Sequence, residues 1–534
     1  MPDGRVQPVC RRQQIVTAAA ITIIWLYGMV FAAVRWLKIK ECHAPLSVVS
    51  VTGILLFFAG ICHFLKPVAV SILILGSLFF ITAGACAVCC RSTGSPFVQK
   101  NVSTLLVGML LFSWALTLGM GFTVDDDYVY WGIIGKYLNH YHHLPDGDTT
   151  IMRRHLAYTP GVSLVHYMVY QAGGRYSESL SYFAQNLFLI SALLVVFSRT
   201  TLSRGWLLFC LAALLLTVFS GSVFTKLQVD HLLAVYLFAG LWIIFKEERS
   251  IRTLMMIALP ACFLFLIKQV GFIIGLVLLL VFVLHTLLDE KIQKPARLKL
   301  LAGTFCVGAL MFVIRQAWAG HCQAMGFVQF SGAINKESLA AAVNIFSNEA
   351  TRNGFFIFIK DILIGPADRL NLPYLVWYVF LAAAVKTLHS QFDRAGKKSL
   401  VWTVTLLAAV FGVYLTTLYF MQVIVFEVGS AWEHTIGLSR YMNIFFSAYI
   451  LFFTLMAVEK MRWFQDASAK KVAIVSTVLV LILGLSRVET SMNREPHYQQ
   501  AAKIAGQVEA VMDMTQPHRI GIVPGTRDNM LWIR

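Results

Sequence analysis

Apolar runs of membrane length recur along the whole chain, near 15–37, 46–66, 67–90, 102–122, 180–198, 205–223, 228–245, 253–267, 269–288, 299–319, 372–388, 400–425, 441–458 and 471–487. Inside hydrocarbon the backbone must satisfy its own hydrogen bonds, so runs of about 20 apolar residues have to be helices. The expected fold is therefore an all-α polytopic membrane protein with about 13–14 transmembrane helices. A composition of 58% hydrophobic and 13% charged residues is too apolar for a soluble core of this size. The first run is long enough to span and no small-residue cleavage site follows it, so it reads as a helix rather than a signal peptide. Residues 1–490 form the expected membrane domain and 491–534 an extracytoplasmic tail. The tail carries two short apolar runs around a Pro-Gly and Asp-Asn turn, which predict a small hairpin.

A formal charge of +17 suggests nucleic acid only at first sight. The basic residues sit in short loops between apolar runs, where they set topology and touch lipid headgroups, and nucleic acid is excluded as a partner. One set of loops holds Arg199, Arg204, Lys246, Arg249, Arg252, Lys291, Lys294, Arg297, Lys299, Lys386, Arg394, Lys397, Lys398, Lys460, Arg462, Lys470 and Lys471. By the positive-inside bias that set is cytoplasmic, and the outer loops 123–179 and 320–371, the segment 426–440 and the tail face outward. Four runs before residue 123 place the N-terminus outside as well, against the preference of Arg5, Arg11 and Arg12. The ten cysteines lack zinc spacing or a loop pairing pattern, and Cys86, Cys89, Cys90, Cys210, Cys262 and Cys306 read as thiols within helices.

The functional signal lies where the fourth run ends. Asp125, Asp126 and Asp127 stand together at a hydrocarbon edge, an expensive place for a carboxylate that does not face water, a cation or a substrate. They are suited to general-base work on a hydroxyl, and as hard oxygen ligands they could hold a divalent cation. The histidines offer no zinc spacing, so no metal site is assigned, and a divalent cation held by the aspartates is the one cofactor left open. Tyr130, Ile133, Ile134, Tyr137 and Leu138 recur at helical spacing and predict an interfacial helix capped by the aspartates. Thr159 and Pro160 predict the start of a second surface helix, ended by Gly173-Gly174. Cations on the same side are Lys136, Arg153, Arg154, Lys268 and Arg440. Lys268 interrupts an otherwise apolar segment, and Asp230 is either a second acid or a partner for Lys226 or Lys268. Glu433 and His434, with Arg440 and Tyr441, form a further outer cluster.

Four stretches in series carry a resemblance: Asp126-Asp-Tyr-Val-Tyr-Trp-Gly-Ile-Ile-Gly-Lys136, Tyr158-Thr-Pro-Gly-Val-Ser-Leu164, Val229-Asp-His-Leu-Leu-Ala234 and Lys268-Gln-Val-Gly271. Their order resembles that of polytopic bacterial glycosyltransferases of the GT-C type, in many of which the first motif reads Asp-Glu-Phe-Ser-His-Trp-Gly and the second Tyr-Pro-Pro-Gly. The likeness covers roughly 120–275. Asp126 matches the family's Asp and Asp127 its Glu, while Tyr130 replaces the His before the Trp. The resemblance implies a polyprenyl-phosphate-linked sugar donor and a glycan or glycolipid acceptor such as O-antigen or lipopolysaccharide. It also implies inverting transfer at the periplasmic face of the bacterial inner membrane, with Asp126 or Asp127 as base. Lys268, Arg440, Arg153 and Arg154 would hold the leaving phosphate, with Asp125, Asp230, Tyr158, Lys136, Glu433 and His434 in support. An O-antigen polymerase or ligase, or a secondary transporter, is the alternative.

Overall fold

The computed structural model describes residues 8–89, 100–122, 126–146, 156–221, 223–327, 340, 343–344, 348–430, 432–461, 464, 474–485, 488, 520–522 and 531–533. Helix α1 (Pro8–Trp36) is followed by α2 (Ala44–Ile61), α3 (Leu65–Cys89) and α4 (Lys100–Thr117). After a single π-helical turn, Asp127–Trp131, come α5 (Gly132–Tyr141), α6 (Gly161–Gly173), α7 (Glu178–Leu193), α8 (Leu202–Ser220), α9 (Asp230–Lys246), α10 (Ile251–Ile267), α11 (Gly271–Leu288) and α12 (Lys294–Ala324). The remainder is α13 (Glu349–Ile364), α14 (Tyr374–Gln391), α15 (Arg394–Phe420), α16 (Leu438–Lys460) and an apolar helix over Ile474–Leu485. Nine helices among the described residues are long and apolar enough to cross a membrane, and three shorter apolar ones accompany them. The chain is a multi-pass helical membrane protein. In the tail, Ile520–Ile522 pairs antiparallel with Leu531–Ile533.

Burial explains which helices form the centre. Glu178–Phe197 is wholly enclosed and Leu438–Lys460 almost so, while most of Lys294–Ala324 and Arg394–Val425 turns apolar side chains such as Phe305 and Val413 outward. In water that exposure would be a liability; against acyl chains it costs nothing. Of the cysteines read as helix thiols, Cys210 and Cys262 are buried, Cys306 is exposed and Cys86 is partly so, because burial follows the bundle face rather than apolar context.

The loops sort to two ends of the bundle. At one end Lys40 and His43 meet Glu247, Arg199 meets Glu248, Lys246 meets Glu459, and Arg249 meets His285. These belong to the basic loop set. At the other end, Gln14 near the start of α1 accepts from Arg175, so α1 begins at the end that carries the acidic motif, as four preceding runs require.

Two expectations for the 123–179 region are corrected. Neither Asp126 nor Thr159 caps a helix: no side-chain cap bond is made at the entry to the π turn or to α6, and Thr159 Oγ1 lies buried without a partner among the described residues. Asp125 lies outside the described residues. Nor is α6 a surface helix. Its polar face is buried too, with His166 bonded to Gln185 and Tyr170 to Ser181, so the helix is enclosed by α1, α2, α5 and α7.

Candidate functional site

The acidic motif is positioned by the segment that leaves α4. Phe122 N–H donates to Glu178 Oε2 at 2.8 Å, Ser179 Oγ to the Met120 carbonyl at 2.9 Å, and the Phe122 ring meets Tyr182 edge-on. The chain then enters the π turn, a one-residue surplus in helical winding that is found most often at functional positions. Gly132 closes it, and only glycine fits: a Cβ there would sit 2.6 Å from the Asp127 carbonyl oxygen and 2.2 Å from the Phe122 ring.

Winding separates the two described aspartates. Asp127 points into the protein and is 0% exposed, its Oδ2 accepting from Tyr182 Oη at 2.9 Å and its Oδ1 making no hydrogen bond of normal geometry among the described residues. Burial pushes its pKa up to about 7, with the neighbouring Asp126 charge adding to the rise against the Tyr182 hydrogen bond. Asp126 points the other way and is partly exposed. Its Oδ2 lies 2.6 Å from Arg440 Nη1 and accepts from Gln228 Nε2 at 3.2 Å.

Arg440, in the first turn of α16, donates through Nε to Asp230 Oδ2 at 2.5 Å, and Lys268, at the end of α10, reaches Asp230 Oδ1 at 2.5 Å. Asp126, Arg440, Asp230 and Lys268 thus form one chain of alternating charges, two negative and two positive, drawn from four elements. Lys268 and Arg440 also lie over the Tyr441 ring, with 5.1 and 6.0 Å to the centroid. Of the two partners open to Asp230, Lys268 is the one used, and Arg440 adds to it.

Tyr158 borders the same chain. Its backbone carbonyl accepts from Tyr130 Oη at 2.9 Å and its ring stacks on Trp131. Ala157 beside it accepts from both Gln269 and Trp318 at 3.0 Å, which locks the loop to α10–α11 and α12. Gly161 allows α6 to start directly against Leu266, where a Cβ would lie 2.5 Å from that side chain. Burial carries the Tyr158 phenol up to about 12, the Tyr441 ring adding to the rise. At neutral pH it is a hydrogen-bond donor.

Beside Asp230 opens a pocket of about 380 Å³ whose wall includes Gln228, His231, Arg369, Ser439, Arg440 and Asn443. Lys136 is exposed on α5, and Glu433 and His434 are exposed on the segment before α16; the ion-pair chain includes none of the three. Arg153 and Arg154 lie outside the described residues. Gln228, Tyr182 and Arg369 join the site without having been singled out from sequence; the one available signal was Gln228's place two residues before Asp230. Asp126 and Asp127 face different partners, and no group of three or more His, Cys, Asp or Glu among the described residues is arranged to hold a metal ion.

The class these features define is a multi-pass membrane protein with a charged, partly open site at one end of its helical bundle. No protein-family model, curated protein or solved structure matches the chain.

Proposed function

We propose that this protein is an integral-membrane glycosyltransferase of the inner membrane, moving a sugar from a polyprenyl-phosphate donor to an extracytoplasmic glycan acceptor such as O-antigen or lipopolysaccharide, with inversion. The observation that carries this reading is Asp126. It is a partly exposed carboxylate at the bundle end, next to a polar pocket and joined by one guanidinium to the cations an anionic leaving group needs. The motif series also supports it.

In the proposed step, the acceptor hydroxyl gives its proton to Asp126 as its oxygen bonds to the anomeric carbon. The bond from that carbon to the phosphate oxygen breaks with its electron pair, and the polyprenyl phosphate leaves toward Arg440 and Lys268. Arg440 contacts the base and lines the pocket, so the same group orients Asp126 and receives the developing charge. Tyr158 supplies a neutral donor at the edge of the site. Asp127 is enclosed and cannot reach an acceptor; its role is to position the turn through Tyr182. The base assignment is thereby narrowed to Asp126.

The test uses purified protein with a polyprenyl-phosphate sugar and a lipopolysaccharide acceptor. Asp126→Asn is expected to lower turnover by about 100- to 10,000-fold, the usual contribution of a positioned base. Full turnover in that variant overturns the assignment. Solute uptake into proteoliposomes without any transfer product would favour a transporter.

A further inference from the structure

The pocket beside Asp230 holds more chemistry than the proposed transfer step uses. Its two acids are already committed: Asp230 to Lys268 and Arg440, and Asp368 to the backbone N–H groups of Leu370 and Leu372 and the Trp377 indole. Two guanidiniums, those of Arg369 and Arg440, line the same pocket. Arg440 spends Nε and Nη1 on Asp230 and Asp126. Arg369 packs across Gly221, which has φ +71; a Cβ at that position would lie 2.3 Å from Arg369 Nε, so the glycine makes the room that brings this cation to the rim.

The loop carrying Arg369 is built to hold its shape. Arg369 N–H donates to the Val218 carbonyl at 3.0 Å, Ala367 N–H to Leu372 at 2.9 Å, and Asn443 Nδ2 to the Ala367 and Phe219 carbonyls at 2.9 and 3.2 Å. One wall is apolar, the Phe219 ring backed by Trp377 at 4.7 Å between centroids. Against this finished framework one polar group stands out. His231 is 5% exposed, lines the pocket, and its Nε2 has no hydrogen-bond partner among the described residues. An unpaired buried donor or acceptor is costly unless a ligand satisfies it.

We propose that this pocket binds a phosphate ester of a hydroxyl-bearing ring, with Arg369 and Arg440 on the phosphate and His231 on a ring hydroxyl. Planar guanidiniums suit phosphate oxygens, a neutral imidazole nitrogen suits a hydroxyl, and an aromatic wall suits the C–H face of a ring. The transferase reading is needed only to name that ester as the glycosyl phosphate of the donor. On that reading, His231 selects which sugar is carried.

The experiment is calorimetric titration of the full chain in detergent with a hexose 1-phosphate, glycerol 3-phosphate and inorganic phosphate. Hexose 1-phosphate is expected to bind more tightly than the other two. Arg369→Gln should weaken hexose 1-phosphate and inorganic phosphate alike, by about tenfold or more, as expected for a charged hydrogen bond. His231→Leu should weaken hexose 1-phosphate alone, by about two- to tenfold, and His231→Gln should recover part of the loss. No saturable binding to the unaltered protein overturns the proposal, as does glycerol 3-phosphate binding as tightly as the hexose ester, which marks a lipid-headgroup contact. An equal loss for all phosphates in His231→Leu reduces the histidine to a structural role and overturns its assignment. Unlike Asp126→Asn, these titrations require no turnover, so this site and the transfer chemistry fail separately.

Discussion

Asp127 makes a prediction whose sign runs opposite to that of most carboxylates. Its pKa in the folded protein, about 7, stands above the ordinary 3.8. Between those two values the unfolded chain has released its proton while the folded protein still holds it, so stability falls as pH rises through this window and is level above it. At about 1.4 kcal/mol per pH unit, the rise corresponds to roughly 4 kcal/mol lost between pH 4 and pH 7. Asp127→Asn keeps the shape and neutrality of the protonated acid and removes the titration. The variant should therefore melt modestly above the parent at pH 5, where about 2 kcal/mol has already been lost, and further above it at pH 8, with its fold and transfer activity at pH 6 retained. Light-scattering and intrinsic-fluorescence melts of both proteins in one detergent at the two pH values decide it. A melting difference that is the same at pH 5 and pH 8 refutes a buried neutral Asp127, and loss of activity with the fold intact refutes its exclusion from the proton transfer.

The ion-pair chain predicts a large loss from a single truncation. Asp230→Ala leaves Lys268 and Arg440 with only 16% and 33% of their side chains exposed and one shared acid fewer; about 3–5 kcal/mol of stability should be lost, read as a fall in melting temperature, and Asp230→Ala/Lys268→Ala should recover part of it. At the opposite end, Glu247 accepts from Lys40, His43 and Ser198, and although its burial opposes ionisation these donors hold its carboxyl down to about 2. A depressed acid contributes stability above its ordinary value and loses it as pH falls toward the folded one. Glu247→Gln should thus destabilise by about 3 kcal/mol at pH 7, with the gap to the parent narrowing in melts between pH 5 and pH 3.

The helical frame was legible because hydrocarbon-length runs admit only one backbone solution. Lys268 and Asp230 were legible for a similar reason: an isolated charge at an apolar boundary needs an opposite charge, and few were within reach. The division of labour between Asp126 and Asp127 was not. Adjacent residues on a helix differ by about 100° in direction, and which one faces inward depends on where Tyr182 and Phe122 pack, set by a segment more than fifty residues away. The burial of α6 was hidden as well. Val162, Val165 and Val169 advertise one apolar face, but periodicity records polarity, and His166 and Tyr170 are enclosed because Gln185 and Ser181 satisfy them. Arg369 carried no local mark at all; it enters the site through the positive φ of Gly221, a residue on another helix's end.

The alternating chain also bears on how such a protein is made. Its members stand at 126, 230, 268 and 440, so the last charge is translated long after the first three. Until α16 inserts, Lys268 pairs with Asp230 and the chain of charges lacks the cation that joins Asp126 to it. Arrival of Arg440 closes that gap and fixes Asp126 in place. Nascent or truncated chains lacking α16 would therefore carry the acidic motif without its electrostatic lock, and completion of the site waits for a late helix rather than being a property of the acidic loop itself.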